Sequence, residues 1–543
     1  MSRFVTVVCL ILLAIPIALQ VRMASGILHG DLTAPDPPAQ FTTGVMAHDY
    51  LTSALGANPV AFAESFYVRF PKVALGHWPP VYFGLQAAWY LIFPMSIPSA
   101  RVLSAAIAFT MATVLFLRLR RSCGSLAACA AAAVFLSLQP IQVAAWDVMS
   151  DLLTGLFVLL ALLSFSTFLD QPQRRRSAWY FALWSSAALL TKGSAFALAP
   201  FALLAPLIAW RPRCFGAFWY WASGIACAVA ALPFYLLAAR MGFGYSAHAA
   251  IRPRPQPSFL FYPMLLQGLA PALFWALAAV GFGLAVARRR AANGGSATTD
   301  ALVAGAWILA QMLFLVALLS TWEDRVFIPS LAPAAILFAY CLRQIQSALS
   351  RWPVPSVATP AALALLTIAA CGAAPIVRTE GYRAAVAAIP YRPEGCLMLV
   401  SAGSSGEGAI IAERVSHDPW RSGVVLRASR LLAESSWVGM HYRPLFADAG
   451  QVRSTLLELP VRYILLDDSM DPLPDQRLLN EAISGSPADF VLLGRFPIRS
   501  STRGVLGDVR VYENRSAGTR RPAVVRVRLG LDRGGRTLQY RWR

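Results

Sequence analysis

Long apolar runs separated by short clusters of arginine constrain this chain more than any other feature. A helix that crosses a bilayer needs about 20 mostly apolar residues, and such runs recur from the N terminus to about residue 375. Only 14% of the residues are charged and 57% are hydrophobic, whereas an ordinary soluble domain is about 25% charged. The pattern predicts a polytopic α-helical membrane protein and excludes an ordinary cytosolic enzyme.

We expect about 11 to 13 transmembrane helices. The first apolar segment, 4–20, is short and contains Pro16. It would also suit a signal peptide, but we interpret it as a retained first helix. Further apolar runs lie at about 80–95, 101–117, 124–143, 148–169, 177–191, 194–210, 215–239, 258–287, 301–320, 326–342 and 357–375.

The arginine clusters predict the orientation of these runs. Cytoplasmic loops carry an excess of Lys and Arg. When the arginine clusters are placed in the cytoplasm, successive runs from residue 118 onward cross in alternating directions, and the chain after about residue 376 lies outside. From a cytoplasmic N terminus, about twelve full crossings would return the chain inside, so one run is shorter than a span. The run 80–95, ended by Pro94 and Pro98, is our candidate; alternatively, the cluster at 118–121 breaks the rule.

The net charge of +20 could suggest a nucleic-acid partner. The arginines lie at the ends of apolar runs, however, where membrane anchoring places them. We therefore expect the lipid bilayer as a partner, no nucleic acid, and a location in the cytoplasmic (inner) membrane.

The chain divides into three predicted regions. Residues 1–375 form the transmembrane module, with an external first loop at 21–79. Residues 376–514 form an external α/β domain, with apparent strands at 396–400, 423–426 and 461–466 and helical patterns at 406–415 and 449–459. Residues 515–543 carry nine arginines and one acidic residue, which is typical of a mobile tail or a late hairpin.

The first loop has a high density of polar groups. They are interleaved with aromatic residues, which favours packed amphipathic segments on the membrane face over a solvated loop, the alternative. The polar residues are Asp31, Asp36, His48, Asp49, Glu64, Arg69, Lys72 and His77.

Asp36, in A-P-D-P-P-A-Q-F, is the candidate general base. The neighbouring prolines fix the backbone, and a low-dielectric boundary can raise the pKa of a carboxyl group towards neutrality. The alternative is a turn Asp beside Pro. His77 begins H-W-P-P, where the loop re-enters the membrane, although proline there is also a good helix start.

Further charged residues lie at predicted membrane boundaries. Asp147 and Asp151 are four apart, which predicts one helix face, with Asp147 also suited to an N-cap. Lys192 and Arg325 could anchor the chain or bind a lipid phosphate. An extended loop at 240–257 adds Arg252 and Arg254.

A metal site is the weaker interpretation of the first loop. Asp36, His48, Asp49 and His77 have suitable ligand chemistry, but their spacing gives no support, and no Cys/His zinc spacing occurs. We therefore predict no metal. Ser401–Gly408 follows an apparent strand and opens a helix, but it matches no phosphate-binding motif and indicates a structural turn.

Together these motifs resemble the GT-C superfamily of membrane glycosyltransferases, in particular its ArnT-like and protein O-mannosyltransferase-like branch, glycosyltransferase family 39. The resemblance covers about residues 1–345. Relatives commonly have a D-E pair in the first loop, whereas here Pro37 follows Asp36. Five motifs carry the resemblance, and they occur in the expected order: A-P-D-P-P-A-Q-F (Asp36), H-W-P-P (Pro79, Pro80), M-S-D-L-L-T-G-L-F (Asp151), L-T-K-G (Lys192) and W-E-D-R-V-F-I-P (Arg325).

The resemblance implies transfer of a sugar from a polyprenyl-phosphate donor to an envelope acceptor, with inversion and without a nucleotide or redox cofactor. Asp36 would deprotonate the acceptor hydroxyl. Cationic groups would stabilise the leaving phosphate: Lys192 and Arg325 first, then Arg252, Arg254 and Lys72. The expected substrate-binding residues are Asp151, Asp147, His77, Glu64 and Asp49.

Two other functions fit the sequence. A secondary transporter would use its intramembrane Asp and Lys for ions, although no inverted repeat is evident. A membrane-anchored binding or assembly protein would work through its external α/β domain, and Asp36→Asn would then be silent.

Overall fold

The computed structural model describes most of the chain. The described residues are 26–73, 75–240, 264–291, 295–316, 323–374, 376–434, 442–517, 523–528 and 537–542, with single residues 9, 11, 13, 14 and 18. Most of the predicted first helix, and Arg252 and Arg254 of the predicted loop at 240–257, lie outside them.

Helices make up nearly all of the described chain before residue 375. In chain order they are α1 (Pro37–Ser53), α2 (Pro59–Arg69), α3 (Val81–Tyr90), α4 (Ile97–Ser122), α5 (Ser125–Ser137), α6 (Gln139–Ala144), α7 (Asp151–Asp170), α8 (Arg175–Leu189), α9 (Leu198–Ile208), α10 (Phe218–Arg240), α11 (Ala272–Arg290), α12 (Ser296–Phe314), α13 (Ile328–Ala348) and α14 (Pro353–Cys371). Three 3-10 turns join them, at Gly193–Ala197, Pro212–Gly216 and Asp324–Phe327.

Among the described residues, six helical segments are long and apolar enough to cross a membrane: α4, α7, α10, α11, α12 and Asp324–Ala348, which contains α13. Three shorter apolar segments accompany them. The chain is a multi-pass membrane protein, and its predicted fold class is confirmed. The exact number of spans stays a prediction, because part of the chain lies outside the described residues.

The run at 80–95 is too short to span. Its helix, α3, has ten residues, or about 15 Å at 1.5 Å per residue, against a hydrocarbon core of about 30 Å. The turn after it is followed by Ser96, whose side chain accepts from the backbone N–H of Ser99 and caps α4. The helix in this run is therefore shorter than a span, while the parity of the crossings stays a prediction.

The first loop folds into two helices, α1 and α2. Pro37 and Pro38 occupy the first turn of α1, where a missing N–H costs nothing and the fixed φ favours a helix. Asn58 starts α2 by accepting from the N–H groups of Val60 and Ala61. Phe41, Phe66 and Phe70 are fully or almost fully buried, so packed segments, and not a solvated loop, occupy this region.

The C-terminal part is an α/β domain. In chain order its strands are β1 (Thr379–Glu380), β2 (Leu397–Ser401), β3 (Val424–Arg427), β4 (Ala433–Glu434), β5 (Arg443–Pro444), β6 (Val461–Asp467), β7 (Phe490–Ser500) and β8 (Gly504–Asn514). A mixed six-stranded sheet has the strand order β1-β7-β8-β6-β2-β3. Within it, β6, β2 and β3 are parallel and the others pair antiparallel, while β4 and β5 form a separate antiparallel pair. The helices of the domain are α15 (Tyr382–Ala387), α16 (Ser404–His417), α17 (Ala428–Leu431), α18 (Ala449–Glu458) and α19 (Pro474–Ser484).

The end of the chain forms a hairpin. Strands β9 (Ala523–Arg528) and β10 (Thr537–Trp542) pair antiparallel over six residues each. The described part of the arginine-rich tail agrees with the late hairpin, one of the two predicted alternatives.

The first loop and the sheet domain share one hydrophobic core. Phe41, Phe66 and Phe70 belong to the same buried cluster as Leu399 and Ile464 on the central strands. Asp31 accepts from the backbone N–H of Tyr382 at 2.9 Å. The loop is thus fixed by residues more than 300 positions later in the chain.

One prediction about the helix ends is wrong. Asp147 does not lie on the same helix face as Asp151, because α7 begins at Asp151 and Ser150 occupies its N-cap position. Asp147 precedes the helix in a turn, where its carboxylate accepts from the backbone N–H of Val148 at 3.0 Å. Its carbonyl accepts from Ser104 of α4 at 2.7 Å.

A buried ion pair joins three helices at the opposite end of the bundle from Asp151. Arg118 of α4 makes two hydrogen bonds to Asp300 of α12, at 2.9 and 2.7 Å, and Ser166 of α7 donates to the same carboxylate at 2.5 Å. The Asp300 side chain is only 1% exposed. A buried charge with several donors fixes helix register, because any slip leaves it unpaired.

We expect Asp300→Ala to lower the free energy of unfolding by about 3 kcal/mol, since it leaves Arg118 without its partner. Chemical denaturation in detergent measures the change. In the double variant Arg118→Ala/Asp300→Ala, the free energy of unfolding should fall by less than the sum of its decreases in the two single variants. Strictly additive decreases would contradict the pairing.

Candidate active site

Asp36 lies at the N-cap position of α1 but does not cap the helix. Its side chain makes no capping hydrogen bond, and Oδ2 instead accepts from Nη2 of Arg325 at 2.6 Å. No described residue hydrogen-bonds to Oδ1. The two side chains are 19% and 30% exposed, so the pair can be reached from outside the protein.

Arg325 is the cationic partner in this ion pair. It lies in the 3-10 turn Asp324–Phe327 that precedes α13. Its Nε donates to Glu323 at 2.7 Å, whereas its Nη1 meets only the sulfur of Met149, at 3.7 Å. A thioether is a weak acceptor, so one edge of the guanidinium retains most of its capacity to bind an anion.

A second ion pair joins Asp151 and Lys192. Lys192 precedes the 3-10 turn Gly193–Ala197, and its ammonium donates to Oδ1 of Asp151 at 2.5 Å. Asp151 is 2% exposed and Lys192 is 15% exposed. The sulfur of Met149, two residues before Asp151, lies 3.7 Å from Nη1 of Arg325, so the two pairs are close to each other.

His77 and Asp147 are further titratable groups near these pairs. Burial lowers the pKa of His77, while Asp36 raises it and Lys192 lowers it, so the imidazole lies within electrostatic range of both pairs. Burial raises the pKa of Asp147 to about 6, opposed by Arg101, the Val148 N–H and Arg325. His77 therefore favours its neutral form, and Asp147 is less acidic than an exposed carboxyl group.

Lys72 lies between the first loop and the sheet domain. Its side chain is fully buried, and its ammonium donates to the carbonyl of Ser404 at 3.5 Å, at the start of α16. Burial, and next Arg427, lower its pKa from 10.5 to about 7, while Glu407 and Asp36 oppose the shift. Lys72 thus lies within electrostatic range of Asp36 but faces the sheet domain.

Asp49 and Glu64 do not join the group around Asp36. Asp49 accepts from Nε of Arg421 in the sheet domain at 3.2 Å and lies 3.2 Å from Nδ1 of His48. Glu64 lies on α2, partly buried. Among the described residues, no cluster of three or more His, Cys, Asp or Glu side chains could hold a metal ion.

Sequence reasoning missed two side chains of the group. Gln40 lies one helical turn after Asp36, and its Nε2 is 3.3 Å from the sulfur of Met149. The signal for Gln40 was present, because two prolines after Asp36 predict a helix start and position i+4 then shares its face. Met149 carried no signal, since its place depends on the fold of the turn before α7.

Comparisons with known proteins find a matching family model and similar solved structures. A family model described as dolichyl-phosphate-mannose-protein mannosyltransferase matches residues 77–236. The crystal structure of ArnT from Cupriavidus metallidurans in the apo state is 15% identical, with a TM-score of 0.59, covering 93% of this chain and 99% of that chain. The structure of ArnT from the same organism bound to undecaprenyl phosphate is 16% identical, with a TM-score of 0.55 and the same coverage.

The chain has the fold of these ArnT structures. The predicted resemblance to the ArnT-like branch is confirmed, and with it the prediction that the protein is a glycosyltransferase. No curated protein matches it in sequence.

The stability of this glycosyltransferase should rise with pH between about 7 and 10, in part because of Lys72. In that range the unfolded chain binds the proton on Lys72 and the folded chain does not, so deprotonation favours folding. The slope from one such group is at most about 1.4 kcal/mol per pH unit. We expect Lys72→Met to flatten the rise of Tm between pH 7 and 9, measured in detergent. Equal slopes in the two proteins would contradict the low pKa of Lys72.

Proposed function

We propose that the protein transfers a sugar from a polyprenyl-phosphate donor to a hydroxyl group of an envelope acceptor, at the outer face of the cytoplasmic membrane. The observation that carries the proposal is the 2.6 Å contact between Asp36 and Arg325. It holds a carboxylate and a guanidinium together at a site that both the solvent and a lipid substrate could reach. Such a site combines a base with a phosphate-binding cation.

The donor class follows from the fold and from the charges. The ArnT structure of the same fold contains undecaprenyl phosphate, and the site offers Arg325 and Lys192 beside the ends of predicted spans. The sugar phosphate would lie at the membrane surface while its polyprenyl chain lies in the bilayer. We place the sheet domain on the outer face as well, because it packs on the loop that carries Asp36.

Asp36 would act as the general base. Arg325 fixes Oδ2, which leaves Oδ1 to accept the proton of the acceptor hydroxyl. The acceptor oxygen then attacks the anomeric carbon from the face opposite the phosphate, the bond from that carbon to the phosphate oxygen breaks, and the configuration inverts. Polyprenyl phosphate leaves with the electron pair of the broken bond.

Arg325 and Lys192 would stabilise the charge on the leaving phosphate. Nη1 of Arg325, which meets only the Met149 sulfur, would bind a phosphate oxygen in place of this weak acceptor. Preorganised positive charge of this kind is usually a large catalytic contribution. Lys72, Arg252 and Arg254 remain further candidates for the phosphate.

Asp151, Asp147 and His77 remain candidates for binding the substrate, since all three interact electrostatically with one of the two ion pairs or with Arg325. Asp49 and Glu64 are weaker candidates, since Asp49 is paired with Arg421. A transporter or a scaffold would not require the combination of a glycosyltransferase fold with a reachable base and cation.

Asp36→Asn should lower sugar transfer by at least about a hundredfold, because an amide cannot accept the proton. The measurement is transfer from labelled polyprenyl-phosphate sugars to envelope extract by purified protein in liposomes. Asp448→Asn is the matched control, since Asp448 caps α18 far along the chain and Asn caps equally well. Full activity of folded Asp36→Asn would remove Asp36 from the mechanism, and no transfer by the wild type from any donor would refute the reaction.

The role of Lys192 can be separated from its pairing with Asp151. The double variant Asp151→Asn/Lys192→Met contains no unpaired buried charge, so it should fold, yet we expect it to bind polyprenyl phosphate at least about tenfold more weakly than the wild type. Asp151→Asn alone retains the lysine and is the control. Tryptophan fluorescence titration gives the affinities. Equal binding by the double variant and the wild type would mean that Lys192 only neutralises Asp151.

A further inference from the structure

Three buried side chains beside the Asp36–Arg325 pair carry oxygen atoms without a hydrogen-bond partner in the described part of the chain. They are Oε1 of Gln40, Oγ of Ser150 and Oδ2 of Asp151. Their residues are only 1%, 2% and 2% exposed. Native proteins leave few such groups unpaired, so three in one place point to a ligand.

Contacts and chain adjacency place these three residues near one another. Gln40 shares a helix face with Asp36, and its Nε2 lies 3.3 Å from the sulfur of Met149. The same sulfur lies 3.7 Å from Nη1 of Arg325. Ser150 and Asp151 directly follow Met149, and Asp151 also lies within electrostatic range of Arg325.

The chemistry of the three groups specifies the ligand. A carboxylate oxygen and an amide oxygen only accept hydrogen bonds, and a serine hydroxyl can both donate and accept. The side-chain amide of Gln40 contacts the thioether of Met149 through one of its two polar atoms. The other polar atom has no partner in the described structure, and this holds for either orientation of the amide. The matching ligand therefore carries several neighbouring hydroxyl groups, as a sugar ring does.

We propose that Gln40, Ser150 and Asp151 bind hydroxyl groups of the sugar carried by the donor, and that Gln40 and Ser150 help to determine which sugar is accepted. The proposal rests on the proposed glycosyl transfer. Lys192 occupies one oxygen of Asp151 and leaves the other for a hydroxyl group. The sugar would then lie beside Arg325, within reach of the base.

The chain provides a matched control. Gln344 also has a buried Oε1 without a partner in the described structure. It lies near the far end of α13, about 25 Å along the helix axis from its first turn. Gln40→Leu and Gln344→Leu thus make the same chemical change inside and outside the proposed sugar site.

The experiment compares kcat/KM for transfer of an accepted sugar and of its single-deoxy analogues, all as polyprenyl-phosphate donors. The proteins are the wild type, Gln40→Leu, Ser150→Ala and Gln344→Leu. For the wild type, kcat/KM should be about tenfold lower with one deoxy donor than with the complete donor, which is the effect of one hydrogen bond. For Gln40→Leu, kcat/KM with the complete donor should be about tenfold below the wild-type value, and changing to that deoxy donor should not lower it again. Gln344→Leu should match the wild type with every donor.

Three outcomes would overturn the proposal. If Gln40→Leu and Ser150→Ala each lower kcat/KM by the same factor for all donors, the side chains support the fold and do not bind the sugar. Unchanged activity in both variants would show that water satisfies these groups. Absence of transfer by wild type would refute the proposed function and this proposal with it, whereas the first two outcomes leave glycosyl transfer standing. Ser150→Ala removes a single oxygen, so it decides the question even where Gln40→Leu fails to fold.

Discussion

The contact between Asp36 and Arg325 is the interaction on which the site depends. It joins residues 289 positions apart, and local backbone structure positions each of them. Two prolines start α1 directly after Asp36, and Arg325 lies in a 3-10 turn before α13. A charge at a membrane boundary is costly unless it is paired. The pair therefore fixes the distance between the first loop and the helix bundle, and Met149 and Gln40 pack around it.

The sheet domain is part of this arrangement and not an appendage. Its helix α16 packs so closely on the first loop that a Cβ atom on Gly408 would lie 3.2 Å from Pro38 and 2.9 Å from Lys72. Arg421 adds an ion pair with Asp49. Because Pro38 is two residues from Asp36, the position of the sheet domain influences the direction of the carboxylate. Glycine at 408 permits that approach, since any side chain there would displace Pro38 or Lys72.

The sequence was sufficient for features that depend on periodicity or on local chemistry. The apolar runs predicted the spans, the proline pair predicted a fixed backbone at Asp36, and alternating strands and helices predicted the sheet domain.

The sequence was insufficient where a partner lies far along the chain. Asp36 and Arg325 were assigned separate roles, although they form one pair, and Asp147 was assigned to a helix that begins at Asp151, because Ser150 can occupy the N-cap position equally well. The burial of Lys72 was also not predicted, because it depends on α16, which no local pattern connects to Lys72.

The shared core of the first loop and the sheet domain also governs the order of assembly. Phe41 and Phe66 are synthesised early, whereas Leu399 and Ile464, in the same cluster, follow more than 300 residues later. At a synthesis rate of about 5–20 residues per second, the aromatic face of the loop waits for tens of seconds before its partners exist. During biogenesis the first loop therefore cannot complete its core until β2 and β6 have been made. A product truncated before these strands would leave Phe41 and Phe66 without their partners, however well its membrane helices inserted.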